Sequence, residues 1–189
     1  MDTPDPQVTS TLVLLATPNA ASLTRALVRL VLTQWGLRDV VDDAELVASE
    51  LATNAVQATA EAEDPGYYVN GIKPPPLIKA RVMLFDSFMV IGVWDRSLRV
   101  PKAASASAID EHGRGLIIVE NLSARWGWET VHPYGGHKGK VVWAELTLPH
   151  APVHPDGLPS RMPGQVAVET RGFSDEKVLA RVRDGIQRL

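Results

Sequence analysis

The chain has 189 residues, 45% hydrophobic and 22% charged, a composition that suits one globular domain with an appendage. Its net charge is −3 with acids and bases interspersed, which excludes the basic field of a direct nucleic-acid binder, and the absence of cysteine excludes disulfides and thiolate chemistry. No apolar run approaches the roughly 20 residues of a membrane span, and the acidic, proline-bearing start is unlike a secretory signal, so the expectation is a soluble cytoplasmic protein with no membrane contact.

Residues 1–9 read as a flexible N-terminus that runs into a short apolar stretch of strand type at residues 11–16. Thr17-Pro18 then offers an N-cap followed by proline at the first helical position. Leu23, Ala26, Leu27, Leu30 and Val31 repeat at helical spacing as far as Trp35, with Gly36 as the stop. Asp42 with Glu45 makes a capping-box-like start to a second helix that runs to about Ala60. Residues 61–76 hold Asp64-Pro65-Gly66, Asn70-Gly71 and Pro74-Pro75-Pro76 and predict a long irregular loop.

Two β-rich runs, residues 77–85 and 88–94, flank Asp86-Ser87 as an antiparallel hairpin, and Asp95 closes the second. Residues 96–112, rich in alanine and serine, predict a mobile loop. Gly113-Arg114-Gly115 opens a third helix carrying Leu116, Ile117, Val119 and Leu122. The last strands, residues 124–131 and 140–148, are joined by the glycine-rich turn His132-Pro133-Tyr134-Gly135-Gly136. This β-α-α-β-β-α-β-β pattern predicts an α+β fold, a two-layer α/β sandwich whose mixed, mostly antiparallel sheet carries its helices on one face. The domain is expected over residues 10–149, followed by a proline-rich linker at 150–173 and a C-terminal amphipathic helix at 174–189.

Three polar features stand out. At about 100° per residue, Glu50 and Asn54 fall between Leu46 and Val47 on the helical wheel, so an acid and an amide sit on what should be the apolar stripe and point toward whatever lies over it. An unpartnered buried acid is expensive, and a polar ligand is the simplest partner. Asn54 offers Mg²⁺ a neutral oxygen ligand, and Glu50, one turn away, is placed to take a proton from a hydroxyl or water attacking a γ-phosphate. Asp95 at a strand end can accept from an exocyclic amine such as that of adenine. The glycines at a helix start let backbone N–H groups approach phosphate. Each feature also has a plainer reading: a polar pair facing a solvent cleft, a strand-end turn, a loop-to-helix punctuation.

Taken together and in this order, these motifs resemble the GHKL ATPases with the Bergerat fold, and among them the bacterial anti-sigma-factor serine/threonine kinases. Glu50-Leu51-Ala52-Thr53-Asn54-Ala55 is similar to their asparagine box, Gly113-Arg114-Gly115-Leu116-Ile117-Ile118-Val119 to their second glycine box, and Gly139-Lys140-Val141-Val142-Trp143-Ala144-Glu145-Leu146 to the closing strand of the stand-alone actinobacterial members. The resemblance implies ATP and Mg²⁺ as cofactors, with Glu50 as general base, Asn54 as Mg²⁺ ligand, Asp95 as the adenine reader and Gly113, Arg114, Gly115 and Leu116 on the phosphates. It further implies a lid at residues 96–112 and a homodimer packed through the sheet. As partners it implies a sigma factor and an anti-anti-sigma antagonist whose serine or threonine receives the phosphate.

The chain departs from that family in two places. The first glycine box reads Asp95-Arg96-Ser97-Leu98-Arg99, with Ser97 and Arg99 where the family has glycine, and a threonine of the last box is matched by Val141. A protein-binding module on the same fold, with a degenerate nucleotide site, is the alternative these changes raise. Lys138 and Lys140 read as residues of a solvated hairpin, the five histidines as surface residues, and the five tryptophans as core or interface anchors.

Overall fold

The computed structural model describes residues 5–62, 76–101, 114–134 and 137–153. Strand β1 (Val8–Leu15) is followed by helix α1 (Asn19–Gln34), a short 3-10 turn (Arg38–Val40), helix α2 (Val41–Glu61), strands β2 (Leu77–Leu84) and β3 (Phe88–Asp95), helix α3 (Arg114–Leu122), and strands β4 (Arg125–Tyr134) and β5 (His137–Thr147). The five strands form one sheet in the order β1-β2-β3-β5-β4, and every neighbouring pair is antiparallel. The fold is α+β, with three α-helices among the described residues. None of those helices is long and apolar enough to cross a membrane.

Helix starts differ from the sequence reading. The Thr17 side chain caps nothing: its carbonyl accepts from the Ala20 N–H at 2.9 Å and Pro18 sits at the cap position. Asp42 and Glu45 form no capping box either, because Val40 is the cap residue of α2 and makes no side-chain cap bond. Glu45 instead reaches across to α1, where the Arg29 guanidinium donates to its Oε2 at 2.6 Å. Asp42 and Asp43 still lie in the first turn, where a negative charge opposes the positive end of the helix dipole.

The stop at Gly36 is as expected and its mechanism is visible. Gly36 adopts φ +73, the left-handed region that a side chain resists. Leu37 N–H then donates back to Leu32 O at 2.9 Å and Gly36 N–H to Thr33 O at 3.3 Å, the double bond of a Schellman motif. Leu32 and Leu37, both fully buried, supply its apolar contact. The chain returns here after β5, where Val153 N–H donates to Trp35 O at 3.1 Å.

Alternation along the strands sorts side chains onto two faces. Ile78, Ala80, Val82 and Leu84 of β2, Met89, Ile91 and Val93 of β3, and Val142, Ala144 and Leu146 of β5 join one core with α1, α2 and α3. Residues of the other parity, Met83, Phe85 and Val90, form a second small cluster with Phe88 and Trp143. The Phe85 and Phe88 rings stack across the hairpin with centroids 4.3 Å apart. Most of the loop expected at 61–76, most of the lid expected at 96–112, Gly113, the expected linker beyond residue 153 and the expected C-terminal helix lie outside the described residues.

Candidate functional site

The face of α2 that carries Glu50 and Asn54 borders the core rather than splitting it. Val47, Ala48, Leu51, Ala52 and Ala55 are buried, whereas Leu46, expected on the same stripe, is 43% exposed. The apolar stripe is therefore rotated away from Leu46, and the half-buried Glu50 and Asn54 lie along its edge. Helix α3 covers that edge. Its second residue, Gly115, is so close that a Cβ built there would overlap Glu50 Oε2 and stand 3.5 Å from Asn54 Nδ2. A side chain at 115 would displace the Glu50 carboxylate, the movable end of its side chain, from where it now lies.

Asn54 Nδ2 is buried and has no hydrogen-bond partner among the described residues. A buried donor left unpaired costs about 1–3 kcal/mol, so the amide carries a need that none of the described residues meets. Gly115 also opens the N-terminal turn of α3, whose first N–H groups have no partner within the helix. Leu116 is only 6% exposed and packs in the core, so what it can present to an anion is its backbone.

Asp95 ends β3 on the same side of the sheet as Ile91 and Val93, the side covered by helices, and is completely buried. Its Oδ1 accepts from Lys140 Nζ at 2.7 Å and from Ser97 N–H at 2.8 Å. Its Oδ2 is buried with no partner among the described residues. Burial pushes the Asp95 carboxyl above its usual range, against the opposing pull of the Lys140 ammonium and the Ser97 N–H.

Lys140 is the residue that sequence reasoning missed. It is 3% exposed, not part of a solvated hairpin, and stands directly opposite Asp95 in the β3–β5 register. Its parity along the strand was the available signal, because Lys140 alternates with Val142, Ala144 and Leu146, all core residues. A lysine on the core parity demands a buried anion. Val141, by contrast, lies against Gly92 on the opposite face from Asp95, so a hydroxyl at that position would not reach the carboxylate.

The two side chains that replace glycine are accommodated differently. Ser97, 2% exposed, is folded into the turn, and its Oγ accepts from Arg99 N–H at 3.2 Å. The Arg99 side chain leaves the turn and bonds Glu61 at the end of α2 at 2.7 Å. Trp94 Nε1 and Arg96 Nε, on either side of Asp95, are also buried without a partner among the described residues.

The structure thus brings Glu50, Asn54 and Gly115 together and sets Asp95 on the sheet face against which α2 packs. No family model and no curated protein matches this chain. Among the described residues no three of His, Cys, Asp and Glu gather in a form that could hold a metal ion.

Proposed function

We propose that this chain is a GHKL-type regulatory protein with the Bergerat fold, which binds Mg²⁺·ATP and phosphorylates a serine or threonine of an anti-anti-sigma partner while sequestering a sigma factor. The observation that carries the reading is two of the buried atoms left without a partner among the described residues, a donor on Asn54 and an acceptor on Asp95. They are opposite hydrogen-bonding needs of the kind one purine nucleotide satisfies, an amino group at the base and oxygens at the phosphates. The antiparallel sheet with helices on one face, and the meeting of both boxes at Gly115, support the same reading.

The residues present fit the group. Asn54 would hold Mg²⁺ through Oδ1, and the backbone at Gly113, Arg114, Gly115 and Leu116 would hold phosphate oxygens at the start of α3. Bound there, Mg²⁺·ATP supplies a γ-phosphoryl group whose charge the cation neutralises. Asp95 Oδ2 would accept from the base amine and so fix the nucleotide's orientation. Glu50 would take the proton of the attacking serine or threonine hydroxyl onto its carboxylate, one helical turn from Asn54. A homodimer in the cytoplasm belongs to the same proposal.

Calorimetric titration with ATP, with and without Mg²⁺, tests it. The wild type binds only with Mg²⁺, Asn54→Ala abolishes that binding, and Glu50→Ala keeps it while losing phosphoryl transfer to the antagonist. Wild-type affinity in both variants sinks the assignment. One observation favours the second reading, a protein-binding module without nucleotide: the ion pair that already occupies Asp95, with Ser97 buried beside it. Under that reading the wild type shows no heat up to millimolar ATP.

A further inference from the structure

We propose that Lys140 is the base-positioning residue of this site: by holding Oδ1 of Asp95 it leaves Oδ2 as a lone ionised acceptor, which selects a purine carrying an amino group over one carrying a carbonyl at the same position. The inference rests on the nucleotide reading above and adds a residue and a specificity to it.

The geometry is asymmetric. Lys140 Nζ donates to Asp95 Oδ1 at 2.7 Å and to Ser97 O at 3.3 Å, and Ser97 N–H also donates to Oδ1. One carboxylate oxygen is saturated, and the other has no partner among the described residues. An ammonium has three donors and no acceptor, so it cannot satisfy Oδ1 while accepting a proton from Asp95. In the charged form Oδ2 accepts an N–H and repels a carbonyl oxygen. In the protonated form Oδ2 can donate to that carbonyl, and the preference reverses.

The balance between these forms depends on Lys140. Burial drives the Asp95 carboxyl toward its neutral form and the Lys140 cation opposes it. The other charges around Asp95 are placed differently. Lys79 of β2 stands opposite Trp94 and hence on the other face of the sheet. Helix α2, packed on β3, carries Glu50 and Glu61, and Glu61 is paired with Arg99. Arg96, next in the chain, has its Nε buried and unpaired. Among these, the cation in contact with the carboxylate is Lys140.

The test compares ATP with ITP, which replaces the 6-amino group by a carbonyl, by titration calorimetry of the full chain with Mg²⁺ across pH. The wild type prefers ATP near neutral pH. Lys140→Met narrows the ATP:ITP affinity ratio, by about tenfold for each unit by which the carboxyl's pKa stands above the pH of measurement, with the preference for ATP returning at higher pH. Lys140→Arg, which keeps the cation, retains the wild-type ratio and guards against a folding defect. A carbon-13 titration of the Asp95 carboxyl without nucleotide gives a second readout, in which Lys140→Met titrates at higher pH than the wild type. An unchanged ratio, or an unchanged carboxyl titration, overturns the role of Lys140 while leaving nucleotide binding intact. Absence of any ATP binding by the wild type overturns the nucleotide reading, and this inference with it.

Discussion

At the scale of single residues, the site depends on what is missing at Gly115 and what is paired at Asp95. Gly115→Ala pushes a methyl group into Glu50 Oε2, and the acid must leave its place or α3 must lift. The expected result is a folded protein whose Mg²⁺·ATP affinity falls about tenfold or more, equivalent to about 1.4 kcal/mol, read by calorimetry. Unchanged affinity would separate α3 from the site. Asp95 leads to a pH dependence whose sign follows from linkage. Its folded carboxyl titrates above its ordinary value, so between that value and its folded pKa the native state binds more protons than the unfolded chain. Its contribution to stability is therefore present at low pH and lost as pH rises through that window. Without Lys140 the window extends upward, so Lys140→Met loses more melting temperature near neutral pH than in acid, where Asp95, once protonated, needs no cation. Equal losses at both would contradict the pairing. Glu50 and Asn54 drew attention as polar residues on an expected apolar stripe, along whose edge they lie, and Asp95 as an acid closing a strand. Lys140 was obscured by its neighbours, since Gly135, Gly136 and Gly139 suggest solvent, and its partner is 45 positions away in the chain. That pairing is set by strand register, which local patterns do not encode.

At the scale of elements, helix ends were the least legible part of the chain. Thr17 and Asp42 are good cap residues by type, yet their side chains cap nothing. Tertiary contacts outweigh the local preference: Glu45, which a capping box would turn back on its own helix, is taken by Arg29 of α1. The three α-helices among the described residues were read from their apolar period, and the hairpin at Asp86-Ser87 from the two β-rich runs that flank it. Gly36 was legible as a stop because a positive φ leaves few alternatives to glycine. Gly36→Ala is expected to lower stability by about 1–2 kcal/mol, the cost of a Cβ in the left-handed region, visible as a lower denaturation midpoint with unchanged slope. A neutral result would mean that the Schellman turn relaxes into another cap.

At the scale of the whole molecule, the sheet separates two jobs. One face carries the core, Asp95, Lys140 and the helices, and the other carries the cluster of Met83, Phe85 and Val90. Phe85→Ala removes a side chain that is 3% exposed and stacked on Phe88, and is expected to cost about 3–5 kcal/mol of stability. Nucleotide affinity at a temperature where the variant remains folded should be unchanged, and a parallel loss of both would show the faces to be coupled. The tryptophan beside the paired carboxylate has a practical meaning of its own. Trp94 precedes Asp95 in β3 and its indole presses against the Gly139 backbone with a buried, unbonded N–H. An indole so confined emits according to the polarity and motion of its immediate surroundings. In a chain whose other four tryptophans are replaced by phenylalanine, Trp94 becomes an optical gauge of the place where the end of β3 meets β5, read from the sheet face opposite the Asp95–Lys140 pair.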